Sequence, residues 1–134
     1  MNHSCATWSP RMLSILRIVS GYCLLLHGTS KYFGFPGGAI ENLQVTSLMG
    51  VAGLIEIIGG ALLIIGLFTR IAAFIASGFT AAAYFMGHVA TKGLFFFPLL
   101  NQGEAAVLFS FIFFYIFVAG PGPWSIDALR HKAD

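Results

Sequence analysis

Charge is what this chain lacks most. Asp, Glu, Lys and Arg together make up 9% of it, where a soluble domain carries about 25%. A globule of 134 residues cannot hide so much apolar surface, because small domains bury only about two thirds of theirs. A water-soluble fold is thereby excluded. Basic clusters are missing as well. A net charge of +2 is too weak for a nucleic-acid partner. Cysteine is scarce: Cys5 and Cys23 form no CxxC pair, which argues against thiol–disulfide membrane chemistry. Cys23 reads as inert packing inside an apolar run. No ExxH or HxxxH spacing occurs, so no metal site is assigned. The first ten residues hold no Lys or Arg, and no small-residue cleavage site follows the first apolar run. The expectation is an uncleaved first span rather than a signal peptide.

Apolar runs fill the space that charge vacates. The hydrophobic fraction is 57%, gathered into stretches at about 12–30, 48–68, 71–89 and 103–119, each near the ~20 residues of a bilayer crossing. The fold class expected is all-α: a polytopic, antiparallel membrane four-helix bundle, one domain over 1–134. Pro10 sits where a first span would start, with Trp8 at headgroup level. Gly34–Gly38 breaks the helix after span one. Residues 39–47 suggest a short surface helix. Thr69–Arg70 is the whole link between spans two and three, which forces a hairpin. Tyr32, Phe33 and Phe35, then Phe95, Phe96 and Phe97, read as interfacial aromatic belts. Ala73, Ser77 and Ala81 form a small-residue ladder for close helix approach.

Four crossings put both termini on one side. That side holds Arg11, Arg17, Arg70, Arg130 and Lys132 against Lys31 and Lys92 on the other. The positive-inside rule makes it the cytoplasm, in the inner (plasma) membrane. His27 then lies roughly 22 Å along span one and Glu56 roughly 12 Å into span two, both in the outer half. A carboxylate at that depth costs about 2.5–3.5 kcal/mol unless it faces protein or water. His27, Lys31, Glu56, Tyr84, His88 and Glu104 are therefore expected to meet in one outer polar pocket. At the inner side Arg17, Arg70 and Asp127 gather, with Asp127 paired to Arg70 as a structural clamp. Several readings of the outer group stay open. One is mutual satisfaction, with Glu56 bonded to His27 or Lys31. A second is a site for a quinone or similar lipid-soluble ligand, in which His and carboxylate exchange protons. A third is a metal held by the two His and two Glu.

These residues also form motifs. HGxxK at His27–Lys31, ExxGGxxLxxGLxTR at Glu56–Arg70, a His closing span three, a Glu opening span four, and GPGxxSxD at Gly120–Asp127 resemble the DoxX family of small four-helix membrane proteins. The resemblance covers about Leu16 to Leu129. It implies a redox- or quinone-associated membrane protein, since a related subunit belongs to a thiosulfate:quinone oxidoreductase. It also implies a partner redox enzyme. Enzyme activity is left open, at most as a subunit of a quinone-linked oxidoreductase. Two alternatives stand beside it. One is a non-catalytic scaffold or assembly partner for a membrane complex. The other is a small proton-coupled transporter. Partners expected are the lipid bilayer, a redox-enzyme subunit and further copies of the chain.

Overall fold

Helices α1 (His3–Phe33), α2 (Leu48–Ile65), α3 (Thr69–Ala83) and α4 (Glu104–Ala119) carry the apolar mass, and a short α5 (Ile126–Arg130) follows. This computed structural model describes residues 3–132, and no strand occurs among them. Beyond Ala83, α3 runs on through a π-helical turn, Tyr84–Val89, and a last α turn, Ala90–Lys92. Three segments are long and apolar enough to cross a membrane: Cys5–Phe33, Leu48–Ile65 and Thr69–Lys92. Helix α4 is apolar too but shorter, at 16 residues.

Some boundaries differ from expectation. Helix α1 does not start at Pro10 but runs through it from His3. Pro10 is the eighth residue of that helix, past the first turn, so its missing N–H forfeits one i→i−4 bond that the helix spans without ending. Of the polar lead, Met1 and Asn2 lie outside the described residues. Residues 39–47 form turns, not a surface helix. Ser47 instead caps α2, its hydroxyl accepting from Gly50 N at 3.0 Å. Helix α2 stops at Ile65 rather than Phe68. Gly66 adopts φ +70°, and its N–H and that of Leu67 both return to Leu62 O. Phe68 is left-handed as well, at φ +49°.

The helices pack in a ring: α1 on α2, α2 on α3, α3 on α4, and α4 back on α1. Glycine sets the α1–α2 contact. A Cβ on Gly28 would lie 2.7 Å from Gly53 O, and one on Gly60 would lie 2.6 Å from Leu25 N and 2.8 Å from Gly21 O. The backbones touch, which only hydrogen-sized side chains permit. Numbers rise along α1 as they fall along α2, from Gly21 beside Gly60 to Gly28 beside Gly53, so the two run in opposite directions. The α3–α4 pair does the same, from Arg70 at Phe117 to Ser77 at Ser110. There Ser77 Oγ donates to Ser110 O at 2.8 Å and Ser110 Oγ donates to Ser77 O at 3.2 Å. Leu24, Leu63, Ala73, Ala76, Phe113 and Ile116 close the space between helices. Ile58, Phe74 and Phe111 stay exposed on the outer faces, where a membrane protein meets lipid.

Gly60→Ala should therefore destabilise the protein by about 1–3 kcal/mol, as overpacking does. Gly78, which has nothing within 4 Å of an added Cβ, should accept Ala with no loss or with a gain of about 0.5–1 kcal/mol. Thermal unfolding of the two variants in the same detergent checks the contrast.

Candidate functional site

Glu56 lies on the glycine face of α2 that meets α1 and is 5% exposed. Lys31, in the last turn of α1, donates to both of its carboxylate oxygens. The ammonium also complements the partial negative charge at the C-terminal end of α1. Beside the pair, Tyr32 lays its ring over Gly53, where a Cβ would sit 2.6 Å from Cε2. Its hydroxyl donates to Gly50 O at 2.8 Å. The acid is thus sealed between two backbones with one cation.

His27 does not join them. Around α1 it sits roughly 100° from the interface glycine Gly28, against roughly 60° for Lys31. Only the long lysine chain reaches back to α2. The imidazole is exposed on the α4 side, edge-on to Phe109 with ring centroids 6.4 Å apart. It borders a cavity of about 310 Å³ with Cys23, Leu26, Ser30 and Pro36.

Tyr84 and His88 form a separate group at the π-helical end of α3. Their rings stack, 6.4 Å apart and inclined by 26°. Asn101, fully buried, ties them to the chain before α4. Its Nδ2 donates to Tyr84 Oη at 3.0 Å, its Oδ1 accepts Gly103 N at 2.8 Å, and its carbonyl lies 3.1 Å from His88 Nδ1. Tyr84 Oη donates on to Phe95 O at 2.6 Å. Asn101 was not among the residues expected here, although Asn-Gln-Gly ahead of a helix is a turn signal that points to it. Glu104, the first residue of α4, is exposed and bonds to none of these groups. The residues expected in one outer pocket thus bond in separate sets among the described residues: Lys31 with Glu56, and Tyr84 and His88 with Asn101, while His27 and Glu104 bond to neither set. Among the described residues no three His, Cys, Asp or Glu side chains converge as metal ligands.

At the other end the expected Asp127–Arg70 pair is not made. Each side chain satisfies backbone instead. Asp127 Oδ1 accepts Phe68 N at 3.0 Å and Oδ2 accepts Thr69 N at 2.8 Å. Arg70 Nη1 donates to Phe117 O at 2.5 Å and Val118 O at 2.8 Å. The reason is the free groups at helix ends. Phe68 cannot cap α3 with its own side chain, so a remote carboxylate does so. The carbonyls ending α4 draw a guanidinium, as the helix dipole favours. Arg17 is wholly buried and donates from Nη1 to Pro121 O at 2.7 Å and from Nη2 to Trp124 O at 2.5 Å. It fits because Gly66 leaves room: a Cβ there would lie 2.8 Å from Arg17 Cζ.

Two outcomes follow from these contacts. Breaking the buried pair with Lys31→Met or Glu56→Leu alone should cost about 3 kcal/mol, and the double replacement should recover most of it. Denaturant unfolding of the three variants measures this. For Asp127, burial raises the carboxyl's pKa, but the amides of Thr69 and Phe68 and the nearby Arg130 outweigh it and hold the pKa below its ordinary 3.8. Its stabilisation is complete above about pH 4 and is lost as pH falls through the lowered value. Asp127→Asn should flatten that stretch of the stability–pH curve.

The DoxX family model matches residues 12–89. A Haemophilus influenzae relative, named only as an uncharacterized protein, is 47% identical over 126 residues, spanning 90% of this chain and 91% of that one. No solved structure matches. The matched stretch holds the glycine-lined α1–α2 contact, the Lys31–Glu56 pair and the α2–α3 hairpin, and the chain belongs to the DoxX family of membrane proteins.

Proposed function

We propose that this chain is a redox-associated subunit that takes a quinone, or a similar lipid-soluble ligand, against His27. It crosses the inner (plasma) membrane as an antiparallel four-helix bundle with both termini in the cytoplasm. Arg17, Arg70 and Arg130 at the end near the C-terminal segment, against Lys31 at the opposite end of α1, support that orientation by the positive-inside rule. The observation that carries the ligand reading is His27 itself. It is an ionisable side chain within a span, with no hydrogen bond among the described residues, at the rim of a cavity of about 310 Å³. Intramembrane ionisable groups mark function by default. A neutral imidazole can donate to one quinone carbonyl and pass a proton as electrons arrive. Phe109 supplies an aromatic flank beside it. The electrons themselves come from a partner redox enzyme.

A second reading, a non-catalytic scaffold, is favoured by a different observation. Lys31–Glu56 and Tyr84–Asn101–His88 close on themselves and hold helices rather than ligands.

Gentle extraction followed by mass spectrometry of co-purifying quinones separates the two. Quinone in the wild type, reduced about tenfold by His27→Ala at unchanged melting temperature, is the expected result for a lost ligand hydrogen bond. Wild-type protein free of quinone, but crosslinked to one partner, would give the scaffold reading the place.

A further inference from the structure

Two cavities meet at Phe68. One is a groove of about 460 Å³ between α2 and α3, lined by apolar residues that include Leu54, Ile58, Gly59, Leu62 and Ile75. The other, of about 430 Å³, opens at the α2–α3 turn, where Thr69, Arg70, Asp127 and His131 line it. Phe68 and Ile71 border both, so groove and cup adjoin across these two side chains. The Arg130 guanidinium lies 5.6 Å over the Phe68 ring, at the junction.

The cup's charge is unbalanced. Among the described residues Asp127 is its one acid, and both of its oxygens are already taken by the amides of Phe68 and Thr69. Arg70 commits Nη1 to two carbonyls, while its Nη2 and Nε have no hydrogen-bond partner among the described residues. Arg130 lies over the Phe68 ring and close enough to Asp127 to help lower its pKa, but its guanidinium makes no hydrogen bond among the described residues. Two guanidiniums and an imidazole therefore border the mouth of a wholly apolar trough.

We propose that this is a binding site for an anionic phospholipid, with one acyl chain in the α2–α3 groove and the phosphate between Arg70 and Arg130, beside His131. Guanidinium matches phosphate oxygens in charge and geometry, and basic pockets at helix ends collect anionic headgroups. A tail alone would have no use for the arginines. A free phosphate would have no use for the groove. A phospholipid uses both.

The test is lipid retention by the purified full chain in native mass spectrometry, with phosphatidylglycerol and phosphatidylcholine of identical chains. Wild type should retain the anionic lipid over the zwitterionic one by about tenfold. Gly59→Leu fills the groove. An added Cβ there meets only Leu24 Cδ2, at an ordinary 3.7 Å, so the fold should persist and retention should fall. Arg130→Gln with His131→Gln, both at exposed positions, should abolish the preference and leave total lipid unchanged. That pair decides the matter if Gly59→Leu does not fold. Equal retention of the two lipids overturns the proposal, as does a preference that survives Arg130→Gln with His131→Gln. Stabilisation by inorganic phosphate equal to that by phosphatidylglycerol overturns it in favour of a free anion. A dimer lost in Gly59→Leu with lipid retention unchanged overturns it in favour of a second copy in the groove.

Discussion

The backbone-to-backbone approach of α1 and α2 is the constraint on which the rest rests. Gly21, Gly28, Gly53 and Gly60 remove the side chains that would hold the helices apart. In lipid there is no hydrophobic force to press helices together, so close packing and internal polar bonds must do it. The same closeness excludes water from Glu56. A carboxylate placed there requires a cation within the protein, and Lys31 is long enough to supply it from the end of α1. Stiffness, register and the buried acid are thus one problem with one solution.

The second organising fact is how helix ends are satisfied. Backbone groups freed at a helix terminus find no water in a bilayer and must be bonded by the protein. This chain does it with side chains from far along the sequence. Asp127 caps α3, Arg70 holds the end of α4, and Arg17 holds the segment that leaves it. Asn101 performs the same task ahead of α4, through the amide of Gly103. These contacts knit the C-terminal segment to the hairpin. They also leave His27 as the span residue whose imidazole is not engaged in holding the fold.

Much of this was legible in the residues. Long apolar runs with Gly, Pro or a two-residue break between them state the number of helices, because a buried apolar surface is cumulative and local. That Glu56 must face protein follows from its charge alone. The Ala73–Ser77 face was recognisable by its spacing, and Ser77 does bond across to α4. The heptad-spaced pairs Gly21/Gly28 and Gly53/Gly60 were equally visible, but which pair meets which depends on a register that no single helix encodes. Ser110 was indistinguishable from any serine in an apolar run until Ser77 stood opposite it.

Composition, span length and the unavoidable burial of Glu56 were determined by the sequence by itself, since hydrophobicity and charge belong to residues one at a time. Partnership was decided only in the folded chain. Whether Glu56 met an imidazole or an ammonium turned on roughly 40° of rotation about α1 and the reach of a lysine. Whether Asp127 took Arg70 or two amides turned on which helix end came to lie beneath it. Angles and distances between elements are properties of the packing, and they exist only once the helices have closed on one another.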